Sequence, residues 1–383
     1  MRLSDVLHQD AALDRLQRAI TAGRMPHAYL FSGPEGIGKE MTAVRLASLL
    51  LCSSPSQTPP PKSVTTNVRH WNEACGTCVD CDLMRAGNHP DYHRIYRTLN
   101  KVHPDRDVQK RKATELGIDV IRHFFIEKAG LRPSRDRAKV FVIAEGDKLN
   151  ASSQNAMLKT LEEPPEKSYI ILLSASGDLL LDTTRSRCHQ VSFRYLPTEF
   201  VANLLIQRHS ADTVQARFLS ELSQGSAGKA IQFFELGVYD LLEPTLQGVA
   251  RASDDPLSLA SVLLDNAKKL AAKIKSRGKD EPDDEDGADL NTSRLGQFIV
   301  LAVVGTILRD VQRTLAGVSP ASLDNSPAIK QLARNATSTS LRTAVRAVNT
   351  AEYQIGRNAQ VQLVFDVVSI AIGQALSSRA VSV

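Results

Sequence analysis

No stretch of this sequence reads as a membrane span. The longest uncharged apolar run, Leu295–Leu308, falls short of the ~18 residues a span needs, so a buried helix is expected there. The opening residues, MRLSDVLHQD, lack the apolar core of a secretory leader, and the expectation is a cytoplasmic protein with no membrane contact. A strong charge excess is also missing. The 47 basic and 42 acidic side chains leave a formal +5, which permits nucleic-acid contact without arguing for it. Cysteine is scarce, at five residues, but four of them fall at Cys52, Cys75, Cys78 and Cys81 while Cys188 stands alone. Without a leader, that clustering points to a metal rather than to disulfides. Apolar mass is plentiful: 383 residues at 42% hydrophobic and 23% charged suffice for two or three domains.

Strand and helix signals alternate in the first half. His27–Gly33 is a short apolar run ending in glycine, and Lys139–Leu149 and Ser168–Ser176 hold two further buried strands. Val44, Ala47 and Leu51 recur at helical spacing after the first of these. ASSQNAMLKTLEE is helical and is stopped by Pro164 and Pro165. The alternation predicts an α/β domain with a parallel sheet, whose working residues gather at the carboxyl ends of the strands. Past Leu196 the strand signal disappears and helical spacing takes over. Residues 53–67, rich in Pro, Ser and Thr, read as a disordered insertion, and 97–112, with six basic residues against two acids, as an exposed loop. Residues 276–294 carry seven acids and read as a solvated linker.

A second absence is chemical. Gly33, Gly36, Gly38 and Lys39, in GPEGIGKE, have the spacing of a phosphate loop, in which backbone N–H groups and a lysine face phosphate oxygens. The hydroxyl that should follow the lysine and ligate Mg²⁺ is replaced by Glu40, and Thr42 faces elsewhere on the helix. The second strand ends in Ala144–Glu145 where an acid pair is usual, so the metal-side acid is gone and the water-side acid stays. ATP or ADP could still be cradled, or the loop could be an empty relic, but Mg²⁺ binding and turnover are not expected. The bland reading of the same glycines is a tight turn before a helix.

The cysteines have 22, 2 and 2 intervening residues. Four thiolates so spaced can close a tetrahedral structural Zn²⁺ site with no position left for water. An iron–sulfur cluster and unliganded thiols are the rival readings. Cys188 reads as a small core residue.

NAMLKTLEEPP (Asn155–Pro165) followed by TTRSRC (Thr183–Cys188) resembles the clamp-loader branch of the AAA+ ATPases, which also shares cysteines inserted after the phosphate-loop helix. The resemblance covers residues 1 to about 235 and continues more faintly over Gly356–Val368. It implies an AAA+ P-loop parallel-sheet domain at 1–195 with a zinc module at about 52–81. A helical lid at 196–243 and an all-α collar at 244–383 would follow, the acidic linker lying inside the collar. The implied partners are clamp-loader ATPase subunits and a delta-type subunit in a hetero-pentamer, with the sliding clamp met indirectly and primed DNA held within the complex. Motor subunits of that family keep the hydroxyl, the acid pair and a lid arginine; here those positions hold Glu40, Ala144–Glu145 and Gly228. Ser174 and Ser176, where motors place a γ-phosphate sensor, read as relics. Ser186–Arg187–Cys188 is intact, and in this family that arginine stabilises the transition state of a neighbour's ATP. The expectation is therefore an ATPase-defective adaptor that donates Arg187 in trans. Two alternatives are a true clamp-loader ATPase using Glu40 at its magnesium site, and a zinc-dependent DNA-binding protein unrelated to clamps.

Overall fold

The computed structural model describes residues 2–277, 285–322 and 326–377. The chain divides into two compact units, Met1–Leu196 and Pro197–Val383. In the first, α1 (Asp10–Thr21) and α2 (Lys39–Leu51) flank β1 (Ala28–Ser32). A short antiparallel pair, β2 (Ser56–Thr58) and β3 (Trp71–Glu73), precedes α3 (Val79–Arg85) and β4 (Tyr92–Ile95). Then come β5 (Lys139–Ile143), α4 (Ala151–Glu162), β6 (Ser168–Ser174) and β7 (His189–Ser192).

The main sheet has the order β4-β5-β6-β1-β7, with every pairing parallel. The chain leaves β1 for the far edge and returns beside it, so the strand order reverses around β1. A crevice opens at the carboxyl ends of strands at such a point. Both faces of the sheet are covered, which is why its strands read as unbroken apolar runs rather than alternating ones. Tyr29, Phe31, Val140, Val142, Ile171 and Leu173 pack against α1 and α2 on one face. Leu30, Phe141, Ile143, Ile170 and Leu172 pack against residues 118–129 and α4 on the other.

The Pro/Ser/Thr-rich insertion departs from its sequence reading. Instead of being disordered, it supplies β2, which pairs with β3 just beyond it, and Val64 within it joins Trp71 in the core beside α1. Glu73 accepts from the Leu3 and Ser4 N–H groups at 2.7 and 2.8 Å and from Trp71 Nε1 at 2.9 Å. One tryptophan and one buried acid thus order a segment whose composition promised nothing. Residues 97–112 are also built in: a 3₁₀ turn spans Arg97–Val102, and buried Asn100 donates to the Arg111 carbonyl at 2.7 Å.

Every regular element among the described residues of the second unit is a helix. Its longest helix, α5 (Glu285–Leu315), includes residues 285–294 of the segment read as a linker. Residues 278–284 lie outside the described residues. Thr292–Leu315 has the length and apolarity of a membrane span, more than the sequence run suggested, but 61% of its apolar window is buried inside the protein. Ile299, Val300, Leu301, Val303, Val304, Ile307, Leu308 and Val311 are all buried, the pattern of a core helix that is apolar on every side.

Candidate functional site

Gly33, Gly36 and Gly38 adopt φ of 145°, 72° and 102° between β1 and α2. A Cβ on Gly33 would drive into the carbonyl oxygen of Phe193 at the end of β7, so this position needs glycine for close approach as well as for its backbone angle. Lys39 is only 8% exposed. Its Nζ donates to the Gly33 carbonyl and, at 2.6 Å, to the Pro34 carbonyl, two acceptors within the loop itself. Glu40 turns away from the loop, and its Oε1 accepts from Arg94 Nε on edge strand β4 at 2.5 Å. Arg94 in turn lies 4.7 Å over the Tyr96 ring. Thr42 is buried and its hydroxyl bonds back to the Gly38 carbonyl at 2.8 Å. The Glu40 carboxylate is thus engaged outside the loop, and the Thr42 hydroxyl only closes a bond to the last loop glycine at the start of α2.

The carboxyl end of β5 is equally engaged. Glu145 accepts from the Arg97 backbone N–H at 2.8 Å and from Arg97 Nε at 3.1 Å, while Arg97 Nη1 reaches the Ala113 carbonyl at 2.7 Å. Asp147 accepts from the Ala175 N–H with both oxygens, at 3.0 and 2.8 Å, and pairs with the Ser174 hydroxyl. Ser174 Oγ also lies 2.5 Å from the Ser176 carbonyl, so its single proton is committed. Between loop and strand ends lies a cavity of about 110 Å³ lined by Glu35, Lys39, Glu145, Asp147, Lys148 and Ser174, among others. That is well below the ~300 Å³ at which ligand pockets begin. Arg94, Arg97 and Asp147 were not singled out from sequence. The only signal for Asp147 was its place two residues past Glu145.

Arg187 sits after a short helical turn, Asp182–Arg185, with its side chain 32% exposed. Its Nε donates to Glu162 Oε1 at 2.7 Å, Nη2 bonds the same oxygen, and Nη1 donates to the Thr183 carbonyl at 2.6 Å. Cys188, next in sequence, is buried in the sheet core, where burial pushes its thiol up to about 12. It is a packing residue. Gly228 lies in the second unit, within the helix Ala227–Glu235.

The structure brings all four clustered cysteines together. Cys52 Sγ lies 3.5 Å from Cys75 Sγ and 3.7 Å from Cys78 Sγ, Cys75 Sγ lies 3.9 Å from Cys81 Sγ, and all four sulfurs fall within 4.8 Å of one another. A tetrahedron with metal–sulfur bonds of ~2.3 Å has edges of about 3.8 Å, so the sulfurs fit one ion and leave no space for a multi-iron cluster. Backbone N–H groups of Cys75, Gly76 and Cys78 point at Cys52, Cys81 and Cys75 Sγ, each at 3.3 Å. Such bonds favour thiolate. Burial opposes the Cys78 thiolate, but hydrogen bonds from Ser53 and Cys81 prevail and bring it down to about 5; burial pushes Cys52 and Cys81 up. The group can hold a metal ion. Buried Asp80 ties α3 to Arg135 Nε, and Asp91 accepts from the Ser134 and Arg135 N–H groups at 2.7 and 2.9 Å.

A β1–glycine loop–α2 unit at the reversal point of a parallel sheet, a four-cysteine cluster after α2 and a helical second unit define a P-loop protein of AAA+-like fold. Residues 8–197 match the family model described as "DNA polymerase III, delta subunit". The chain is 29% identical over 252 residues to DNA polymerase III subunit delta' of Escherichia coli (strain K12), covering 65% of this chain and 67% of that protein. Against the delta' subunit of Bacillus subtilis (strain 168) it is 29% identical over 219 residues, 57% of each chain. Against E. coli subunit tau it is 30% identical over 241 residues, 61% of this chain and 33% of tau. The chain belongs to the bacterial DNA polymerase III clamp-loader family. It spans two thirds of the first of these relatives and less of the other two.

Proposed function

We propose that this chain is a delta-prime-type clamp-loader subunit that does not hydrolyse ATP and lends Arg187 to the ATP site of a neighbouring subunit. The observation that carries this reading is the state of its own phosphate loop. Lys39 is turned onto the loop's carbonyls, Glu40 is held by Arg94, Ala144 offers no metal ligand, and Ser174 is held by Asp147. Positioning and charge neutralisation supply nearly all of phosphoryl-transfer catalysis, and each group that would supply them is missing or engaged elsewhere. Arg187, by contrast, reaches the surface on a turn anchored by Cys188. The Glu40–Arg94 pair also weighs against Glu40 as a magnesium ligand. Within this reading the cysteine cluster holds structural Zn²⁺, which stabilises a module with little core of its own. The partners are clamp-loader ATPase subunits and a delta-type subunit, with the sliding clamp and primed DNA met in the complex, in the cytoplasm.

The test has two arms. The purified chain with Mg²⁺-ATP should show no turnover above a Lys39→Ala control. In the assembled complex, with the other subunits' phosphate loops inactivated so that only the faced site turns over, Arg187→Ala should lower kcat at least ~10³-fold. Turnover by the isolated chain that vanishes in Lys39→Ala would sink the proposal.

A further inference from the structure

We propose that Glu162 is the positioning residue for Arg187, fixing its guanidinium before a neighbour's nucleotide arrives; this rests on the trans-acting reading above. Both side chains stand on backbone that the core holds still. Glu162 is the last residue of α4; Leu161 before it is 1% exposed, and the His27 ring bonds the Leu161 carbonyl at 2.8 Å. Arg187 precedes Cys188, which is 8% exposed and belongs to the same core cluster as Leu161. Residues 25 apart in sequence are thus anchored by one packed core, each through its immediate neighbour.

Glu162 is also in the wrong place for stability alone. A carboxylate at a helix C-terminus opposes the macrodipole, and Glu163 adds a second. A local rule broken in this way signals a compensating role, and the only ion pair found for Glu162 among the described residues is with Arg187. The donor count agrees. A guanidinium has five N–H groups; Glu162 takes one from Nε and one from Nη2, and the Thr183 carbonyl takes one from Nη1. Two remain, one on each terminal nitrogen, which is the fork that meets phosphate oxygens. Holding a long, rotamer-rich side chain in one orientation removes an ordering cost from the catalytic step.

The experiment compares Glu162→Ala, Glu162→Gln and Arg187→Ala in the assembled complex, reading kcat and KM for ATP at the faced site, with a urea melt of each free chain. Glu162→Ala should lower kcat about tenfold with KM and the melt nearly unchanged, and Glu162→Gln, whose amide oxygen accepts the same N–H groups, should restore most of the loss. An unchanged or faster Glu162→Ala overturns the proposal, because the pair would then be neutral or a parking contact. Loss without rescue by glutamine overturns it as well, since charge rather than positioning would be at work. If Arg187→Ala is silent, the trans-acting reading falls and takes this inference with it; if only Glu162→Ala is silent, that reading stands alone.

Discussion

At the residue scale, the loop keeps the glycine backbone of a phosphate loop while its polar side chains are held by other partners, and the two features depend on different residues. Gly33 serves the fold: it lets β1 turn beneath the Phe193 carbonyl. Gly33→Ala combines a left-handed φ with a steric clash and should cost about 1–3 kcal/mol, read as a lower urea midpoint at unchanged m-value. Glu40 is different. Its ion pair with Arg94 is half exposed on both sides, so it contributes less than about 1 kcal/mol and matters mainly for where it directs the carboxylate. The sequence revealed that Glu40 could not do a hydroxyl's work. It could not reveal that Arg94, 54 residues away, would draw Glu40 off the loop, because that depends on β4 pairing at the sheet edge. Glu162 was hidden for the same reason: it sat in a quoted motif, but its partner appears only once α4 and the turn before β7 share a core.

At the element scale, edge strand β4 carries a titratable group in an apolar setting. The His93 ring stacks on Phe141 with centroids 4.9 Å apart, and burial, then Lys128 and Lys139, lower its pKa to about 4. An unfolded histidine titrates near 6.5, so between these values the unfolded chain binds the extra proton. Stability is unaffected above about pH 6.5 and falls as the pH drops toward 4. After discounting for partial exposure, the loss attributable to His93 is about 1–2 kcal/mol. His93→Phe keeps the ring packing and removes the proton, so urea melts from pH 7 to 4 should show a flatter decline than the parent. The β2–β3 pair makes the complementary point. Composition marked that segment as unstructured, and Trp71 and Glu73, lying beyond the biased stretch, ordered it through long-range contacts with α1 and the N-terminus.

At the scale of the whole molecule, the first unit has its own two-sided core and its own cysteine cluster. Residues 1–196 expressed alone should therefore fold cooperatively and carry one zinc per chain by elemental analysis. A chelator should strip that metal and raise amide exchange around 52–85 while the sheet strands stay protected. The parallel α/β class, the glycine loop, the grouping of four thiols and the helical second half were all legible in the sequence. They rest on periodicity and local spacing, which the chain carries along its own length. The destinations of Glu40, Glu145, Ser174 and Arg187 were not legible. Each meets a partner 25 to 54 residues away in the chain that only the fold brings within hydrogen-bonding distance, and a side chain's charge does not say which neighbour it will meet.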